Sequence, residues 1–176
     1  MKQTFIRISF LIELNLGGEN YMNLLLIVIV APISLMLHEI GHGIGTVLTS
    51  KTHHVHIYLG DVGDNNKENF QIGRFHFHLQ WAFNGRCRWG GGLNKQQAFF
   101  SLLGGPIMTA LIMILCVFLL KLDIEGWLRI ILIAFAEINL YILIFTLVPN
   151  QLPRRLGPNW SFPSDGLQIV RLLRNE

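Results

Sequence analysis

Three long apolar stretches constrain the fold of this chain of 176 residues more than any other feature. They cover residues 24–48, 98–120 and 127–149, and each is long enough to cross a hydrocarbon core of about 30 Å as a helix. Only 14% of the residues are charged, whereas soluble domains carry about a quarter. We therefore expect a mainly α membrane protein with a three-transmembrane-helix core. A soluble protein with three buried helices is disfavoured, because stretches such as IMTALIMILCVFLL have no polar face.

The positions of Lys and Arg predict an orientation in the membrane. The connection between the first and second stretches and the C-terminal tail hold most of them: Lys51, Lys67, Arg74, Arg86, Arg88, Lys95, Arg154, Arg155, Arg171 and Arg174. The positive-inside rule puts both segments in the cytoplasm. The formal net charge of +3 is accounted for by anionic lipid headgroups at that face. We therefore predict the lipid bilayer as a partner and no nucleic acid.

The remaining pattern divides the chain into one domain, residues 22–176, and an N-terminal extension, residues 1–21. The extension is either an interfacial amphipathic segment or is left untranslated because of an alternative start at Met22, and we assign it no function. Alternating polar and apolar residues in HHVHIYLG and FQIGRFHFHLQWAF predict a small β hairpin or sheet within residues 52–89. The sequence GRCRWGGGLN is interpreted as the turn back toward the second stretch, and DGLQIVRLLRN predicts a short amphipathic helix.

A polar cluster interrupts the first apolar stretch. His38, Glu39 and His42 form the pattern H-E-x-x-H, in which residues four apart lie on one helix face. Both imidazoles can then bind one Zn²⁺, with Glu39 as the general base for a water molecule. Two histidines that only make polar contacts between helices are the alternative, but ionisable residues inside a span are expensive and usually functional. The flanking glycines would let another helix or a substrate backbone approach closely.

A catalytic zinc ion usually has three protein ligands and one open position. The residues alone leave three sources for the third ligand: Glu137 in the third stretch, Asp165 in the tail, and the histidines of the connecting segment. Asp165 has a second interpretation as the N-cap of the predicted short helix.

Three motifs, in order, resemble the site-2 protease family of intramembrane zinc metalloproteases. HEIGH matches the zinc helix, LLGGPIMTAL is similar to the family's Gly-Pro stretch, and NQLPRRLGPNWSFPSDG is similar to its Asn-x-x-Pro to Asp-Gly motif. The resemblance covers residues 22–173 and implies Asp165 as the third zinc ligand. Eleven residues separate Pro153 from Asp165, where many members have only a few. A minimal bacterial-type member is implied, in the cell membrane, acting on membrane protein or peptide substrates.

Other polar residues are secondary candidates. Asn150 matches the family's Asn-x-x-Pro and is predicted to bind substrate or stabilise the oxyanion. Asn139 is predicted either to do the same or to make a hydrogen bond between helices. Glu137 either orients a histidine ligand or is protonated and packed.

The connecting segment itself raises two hypotheses. Five histidines could bind a second metal or could simply be partly exposed sheet residues: His53, His54, His56, His76 and His78. An edge of the predicted sheet could accept an unwound substrate as an added strand.

The function predicted from these features is hydrolysis of peptide bonds in membrane-embedded proteins by a zinc metalloendopeptidase. The alternative is a catalytically inactive membrane protein of the same fold that acts as a binding or regulatory partner. A soluble-type zinc peptidase tethered to the membrane fits poorly, because no large soluble domain is available to form its cleft.

Overall fold

The computed structural model describes residues 19–151 and 163–175. Eight elements follow one another along the chain: α1 (Glu19–Thr49), β1 (Val55–Leu59), β2 (Phe70–Ile72), β3 (Phe75–Leu79), β4 (Gly85–Trp89), α2 (Lys95–Leu119), α3 (Gly126–Leu147) and α4 (Asp165–Arg174). The prediction of a mainly α protein with three long apolar helices and a small sheet after the first is confirmed. The interpretations of residues 1–18 and of the Pro153 region lie outside the described residues.

Helices α1, α2 and α3 are long and apolar enough to cross a membrane. Much of their outer surface is apolar and exposed, including Ile107, Leu111, Ile114, Leu115 and Phe118 on α2 and Trp127, Leu128, Ile144 and Phe145 on α3. A soluble monomer seldom exposes contiguous apolar surface of this extent. The predicted short amphipathic helix is present as α4, with Asp165 as its first residue.

Helices α1 and α2 approach each other through glycine. A Cβ atom at Gly41 would lie 2.6 Å from the Cβ of Met108 and against the carbonyl oxygen of Gly104. Gly45 is in the same position relative to the backbone of Phe100. The expected close approach of another helix is therefore confirmed, and it brings α2 against the helix face that carries the two histidines.

The sheet is mixed, with the strand order β2-β3-β1-β4. Strands β2 and β3 form an antiparallel hairpin, β1 pairs with β3 in parallel, and β4 pairs antiparallel with β1. The sequence GRCRWGGGLN, which leads back toward the second apolar stretch, begins with the last residues of the predicted β segment, Gly85–Trp89. These residues form edge strand β4 because they pair through hydrogen bonds with β1. Since β1 is distant in the sequence, local residue patterns do not predict this pairing. Val55, Ile57 and Leu59 are buried on one face of β1, and Ile57 and Phe75 pack against Gly43 of α1.

Candidate metal centre

His38 and His42 lie one turn apart on α1 and are almost fully buried, with 3% and 6% of their surfaces exposed. Their Nε2 atoms are 3.1 Å apart, and their rings meet edge to face. The helical spacing alone puts both side chains on one face, and the packing of α2 fixes where their rings point.

Residues of helix α2 form a hydrogen bond with the Nδ1 atom of each imidazole ring. The Nδ1 atom of His38 is 2.8 Å from the hydroxyl oxygen of Thr109, and that of His42 is 2.8 Å from the carbonyl oxygen of Ser101. A carbonyl can only accept, so Nδ1 of His42 donates to it, and Nε2 is the nitrogen that faces the cluster. Gly105 lies between Ser101 and Thr109 on α2, and a Cβ atom on it would contact Nε2 of both histidines. The glycine therefore leaves space at the point where the two nitrogens converge.

Asp165 completes the cluster from the other end of the chain. Its Oδ2 atom is 3.1 Å from Nε2 of His38 and 3.4 Å from Nε2 of His42. Burial raises the pKa of this carboxyl, but the charge of His42 and hydrogen bonds from both histidines outweigh it and hold the pKa below its usual range. Asp165 is therefore ionised at neutral pH.

The start of α4 fixes the position of Asp165. The N-cap is Ser164, whose hydroxyl accepts from the backbone N–H of Leu167, so the interpretation of Asp165 as the cap was wrong. Ser164 also exchanges hydrogen bonds with the backbone of Asn150 just beyond α3. Gly166 packs against the carbonyl of Leu147, where a larger residue would clash. The carboxylate is thus free to point at the histidines.

These three side chains lie close enough to hold one metal ion, with their ligand atoms all within 4.8 Å of one another. Each can supply one ligand atom, and both imidazoles are oriented by hydrogen bonds at the far nitrogen, as is usual for histidine ligands. Of the three sources considered for a third ligand, Asp165 is the one that meets both histidines.

A cavity of about 510 Å³ opens beside the cluster. His38, Glu39, His42 and Asp165 line it together with Asn150 and the residues of β4. Glu39 is only 9% exposed, and its side chain packs against Gly85 at the start of β4. The cavity therefore brings a buried carboxyl, the three candidate ligands and an edge strand to one space.

The secondary candidates divide between cavity and packing. Asn150 lines the cavity. Asn139 is fully buried and donates to the hydroxyl of Ser34 on α1 at 3.0 Å, which confirms the predicted bond between helices. Glu137 on α3 orients neither ligand, because the Nδ1 atoms of both histidines are bound by α2.

Ser101, Gly105 and Thr109 were not identified as site residues from the sequence. Their spacing could have revealed them: small or polar residues recur every fourth position in an otherwise apolar helix, so they form one face.

Comparisons with known proteins gave no match to any family model, curated protein or solved structure.

Proposed function

We propose that this protein is an intramembrane zinc metalloprotease of the site-2 protease type, which hydrolyses peptide bonds in membrane-embedded substrates. The observation that carries the proposal is the convergence of His38 Nε2, His42 Nε2 and Asp165 Oδ2 in a cavity that also contains Glu39. Two imidazoles, a carboxylate and an adjacent glutamate are the groups that zinc peptidases use.

The donor set fits zinc. Ligands about 2.0–2.1 Å from a tetrahedral zinc ion lie about 3.3 Å from one another, and the three candidate atoms are separated by 3.1 to 3.4 Å. His38 and His42 as neutral imidazoles and Asp165 as a carboxylate would hold the ion, which would keep a net positive charge and one open coordination position. That open position distinguishes a catalytic site from a structural one.

Glu39 has the role of the proton carrier. When bound, zinc acts as a Lewis acid that makes water acidic and polarises the substrate carbonyl. The Glu39 carboxylate accepts a proton from the attacking water as oxygen bonds to the carbonyl carbon, and returns it to the departing amine as the C–N bond breaks. The protons balance, and one water is consumed per peptide bond. Asn150, on the cavity wall, is proposed to donate from its amide to the developing oxyanion.

Strand β4 gives the cavity a peptide-binding wall. It is the edge strand beside β1, and its residues from Gly85 to Trp89 line the cavity. An extended peptide can add to an edge strand through main-chain hydrogen bonds. A substrate helix must be unwound before a peptidase can reach its carbonyl, and pairing with β4 would hold it in the extended form next to Glu39.

The length and apolar surface of α1, α2 and α3 support a multi-pass location in the membrane. The distribution of Lys and Arg supports a cytoplasmic location for the sheet and α4. The zinc site would then lie toward the cytoplasmic end of α1, where the cavity can admit the water that hydrolysis requires.

The experiment starts from cells in which the gene for this protein is deleted. These cells receive a vector that encodes wild type, Glu39→Gln or Glu125→Gln, or an empty vector, and their membrane proteins and peptides are compared by mass spectrometry. Glu125 is an exposed glutamate before α3 whose side chain makes no capping bond, so it is a matched control. We expect uncut substrates to accumulate with Glu39→Gln and with the empty vector, and to be processed with wild type and Glu125→Gln.

Purified Glu39→Gln should retain zinc, because Glu39 is not a ligand. Processing that is unchanged by Glu39→Gln at equal protein levels would contradict the proposed mechanism and favour the inactive binding protein. Processing that survives removal of zinc by a chelator would contradict the role of the metal.

A further inference from the structure

The outer face of the sheet carries a second histidine cluster, separate from the cavity. Its members form two pairs, in which His54, just before β1, and His56 on β1 each face a histidine on the parallel strand β3. In one pair, Nδ1 of His54 is 3.0 Å from Nε2 of His76. In the other, Nδ1 of His56 is 3.2 Å from Nε2 of His78. We call these residues the sheet histidines: His54, His56, His76 and His78.

In both pairs the β3 ring is fixed by an acceptor at its other nitrogen. Nδ1 of His76 donates to the carboxylate of Glu68 at 3.0 Å, and Nδ1 of His78 donates to the backbone carbonyl of Asn66 at 3.0 Å. Each Nε2 therefore presents a lone pair to the partner ring on β1. A carboxylate or carbonyl behind the imidazole is the usual arrangement for a histidine that binds a metal.

The loop that supplies these acceptors is itself anchored. The side-chain amide of Asn66 is buried and donates to the carbonyl oxygens of Leu59, Asp61 and His78. The position of the Asn66 carbonyl is thus set by three contacts, and the orientation of His78 follows from it. This rigidity is what a preformed site needs, because little side-chain freedom is lost when an ion binds.

We propose that each pair of sheet histidines binds a divalent transition-metal ion between its two facing nitrogens, with water completing the coordination. Two nitrogens bound to one ion at about 2.0–2.1 Å are about 2.9 Å apart at a right angle and about 3.3 Å apart at a tetrahedral angle, and the observed 3.0 and 3.2 Å lie in this range. Imidazole suits copper, nickel and zinc, and the affinity order among divalent ions puts Cu²⁺ highest.

The competing interpretation is a plain hydrogen bond within each pair, from Nδ1–H on β1 to Nε2 on β3, and it predicts no specific metal binding.

The test titrates Cu²⁺ into the purified full-length protein in detergent micelles, which carries one equivalent of zinc for the helix site, and follows binding by electron paramagnetic resonance. The test variant is His54→Gln/His56→Gln, which removes the β1 member of each pair and leaves β3 and its acceptors in place. The control is His53→Gln, whose ring contacts Ser50 rather than the sheet histidines. Equal circular dichroism spectra and melting temperatures of the three proteins before copper is added verify that the fold is retained.

We expect wild type and His53→Gln to bind Cu²⁺ with a spectrum that indicates two imidazole nitrogens, and the double variant to bind at least tenfold more weakly. Glu68→Gln, an exposed change beside His76, should weaken one of the two pairs by about 10–100-fold. Equal Cu²⁺ affinity in wild type and the double variant would overturn the proposal. The experiment measures copper binding and not proteolysis. The sheet proposal can therefore fail while the proposed protease function holds, and the protease function can fail while the sheet proposal holds.

Discussion

The two histidine groups of this protein use the same side chains in different surroundings. His38 and His42 are buried between helices, and a third candidate ligand, Asp165, lies 127 residues from His38 in the chain. The sheet histidines are more exposed, come from two adjacent strands, and supply two ligands to each ion. The proposed catalytic role of the helix group therefore rests on more than its pair of histidines. Burial, a third anionic ligand and a cavity beside a buried glutamate set the helix group apart.

Filling the space at the helix group should have the largest effect. Gly105→Ala would put a methyl group 2.8 Å from Nε2 of His38 and closer still to Nε2 of His42. We expect zinc binding and proteolysis to fall by at least about 100-fold, a loss of roughly 2.7 kcal/mol of binding free energy. Zinc content after dialysis measures the first, and substrate processing measures the second.

Gly92→Ala is the control, because a Cβ at Gly92 has no neighbour within 4 Å. Alanine favours a helix over glycine by about 1 kcal/mol, so loss of function in Gly105→Ala should come with a folded protein. Normal zinc content in Gly105→Ala would show that the metal does not lie between these nitrogens.

Removing the third ligand should reduce the helix group to a two-imidazole site like those of the sheet. The Asp165 carboxyl is ionised at neutral pH in the wild type. Asp165→Asn keeps the size of the side chain but removes this negative charge. Loss of a contact behind a ligand lowers metal affinity by about 10–100-fold. We expect Asp165→Asn to lower the zinc affinity by more than this and to abolish activity. Competition with a fluorescent zinc chelator measures it. Wild-type affinity in this variant would exclude Asp165 as a ligand.

Thr109→Val tests the orientation of His38 with a smaller expected effect. Valine matches threonine in shape but cannot hydrogen-bond to Nδ1, so the ring loses the contact that aligns it. We expect zinc affinity to fall by about 10–100-fold. Thr146→Val is the matched control, since its hydroxyl bonds, within the described residues, to carbonyls of its own helix, α3. Equal affinities in the two variants would mean that Thr109 only packs.

Metal binding at the sheet should have the smallest effect, on stability rather than activity. An ion that binds the folded state raises its stability by RT ln(1 + [L]/Kd), or about 1.4 kcal/mol at ten times Kd. Cu²⁺ should therefore raise the melting temperature of wild type by more than that of His54→Gln/His56→Gln. Proteolysis should be equal in the two proteins before copper is added. An equal thermal shift in both would place the copper elsewhere.

The elements that local patterns specify were predictable from the sequence. The three apolar helices, the amphipathic α4 and the shared face of His38 and His42 all follow from residue spacing within one segment. The mixed sheet did not follow, because the parallel pairing of β1 with β3 and the capture of β4 depend on contacts between separate segments. The support of the histidines by Ser101 and Thr109 depends likewise on how α2 crosses α1. Asp165 was favoured as the third ligand through a resemblance rather than from spacing.

X-ray absorption at the zinc edge tests the central claim most directly, because it reports the atoms bound to the metal. The purified His54→Gln/His56→Gln protein removes the sheet sites from the signal, and Asp165→Asn is introduced in the same background for comparison. We expect one zinc ion bound by two imidazole nitrogens and further light-atom ligands only, with reduced occupancy after Asp165→Asn. A sulfur ligand, or the same spectrum and occupancy with and without Asp165, would contradict it.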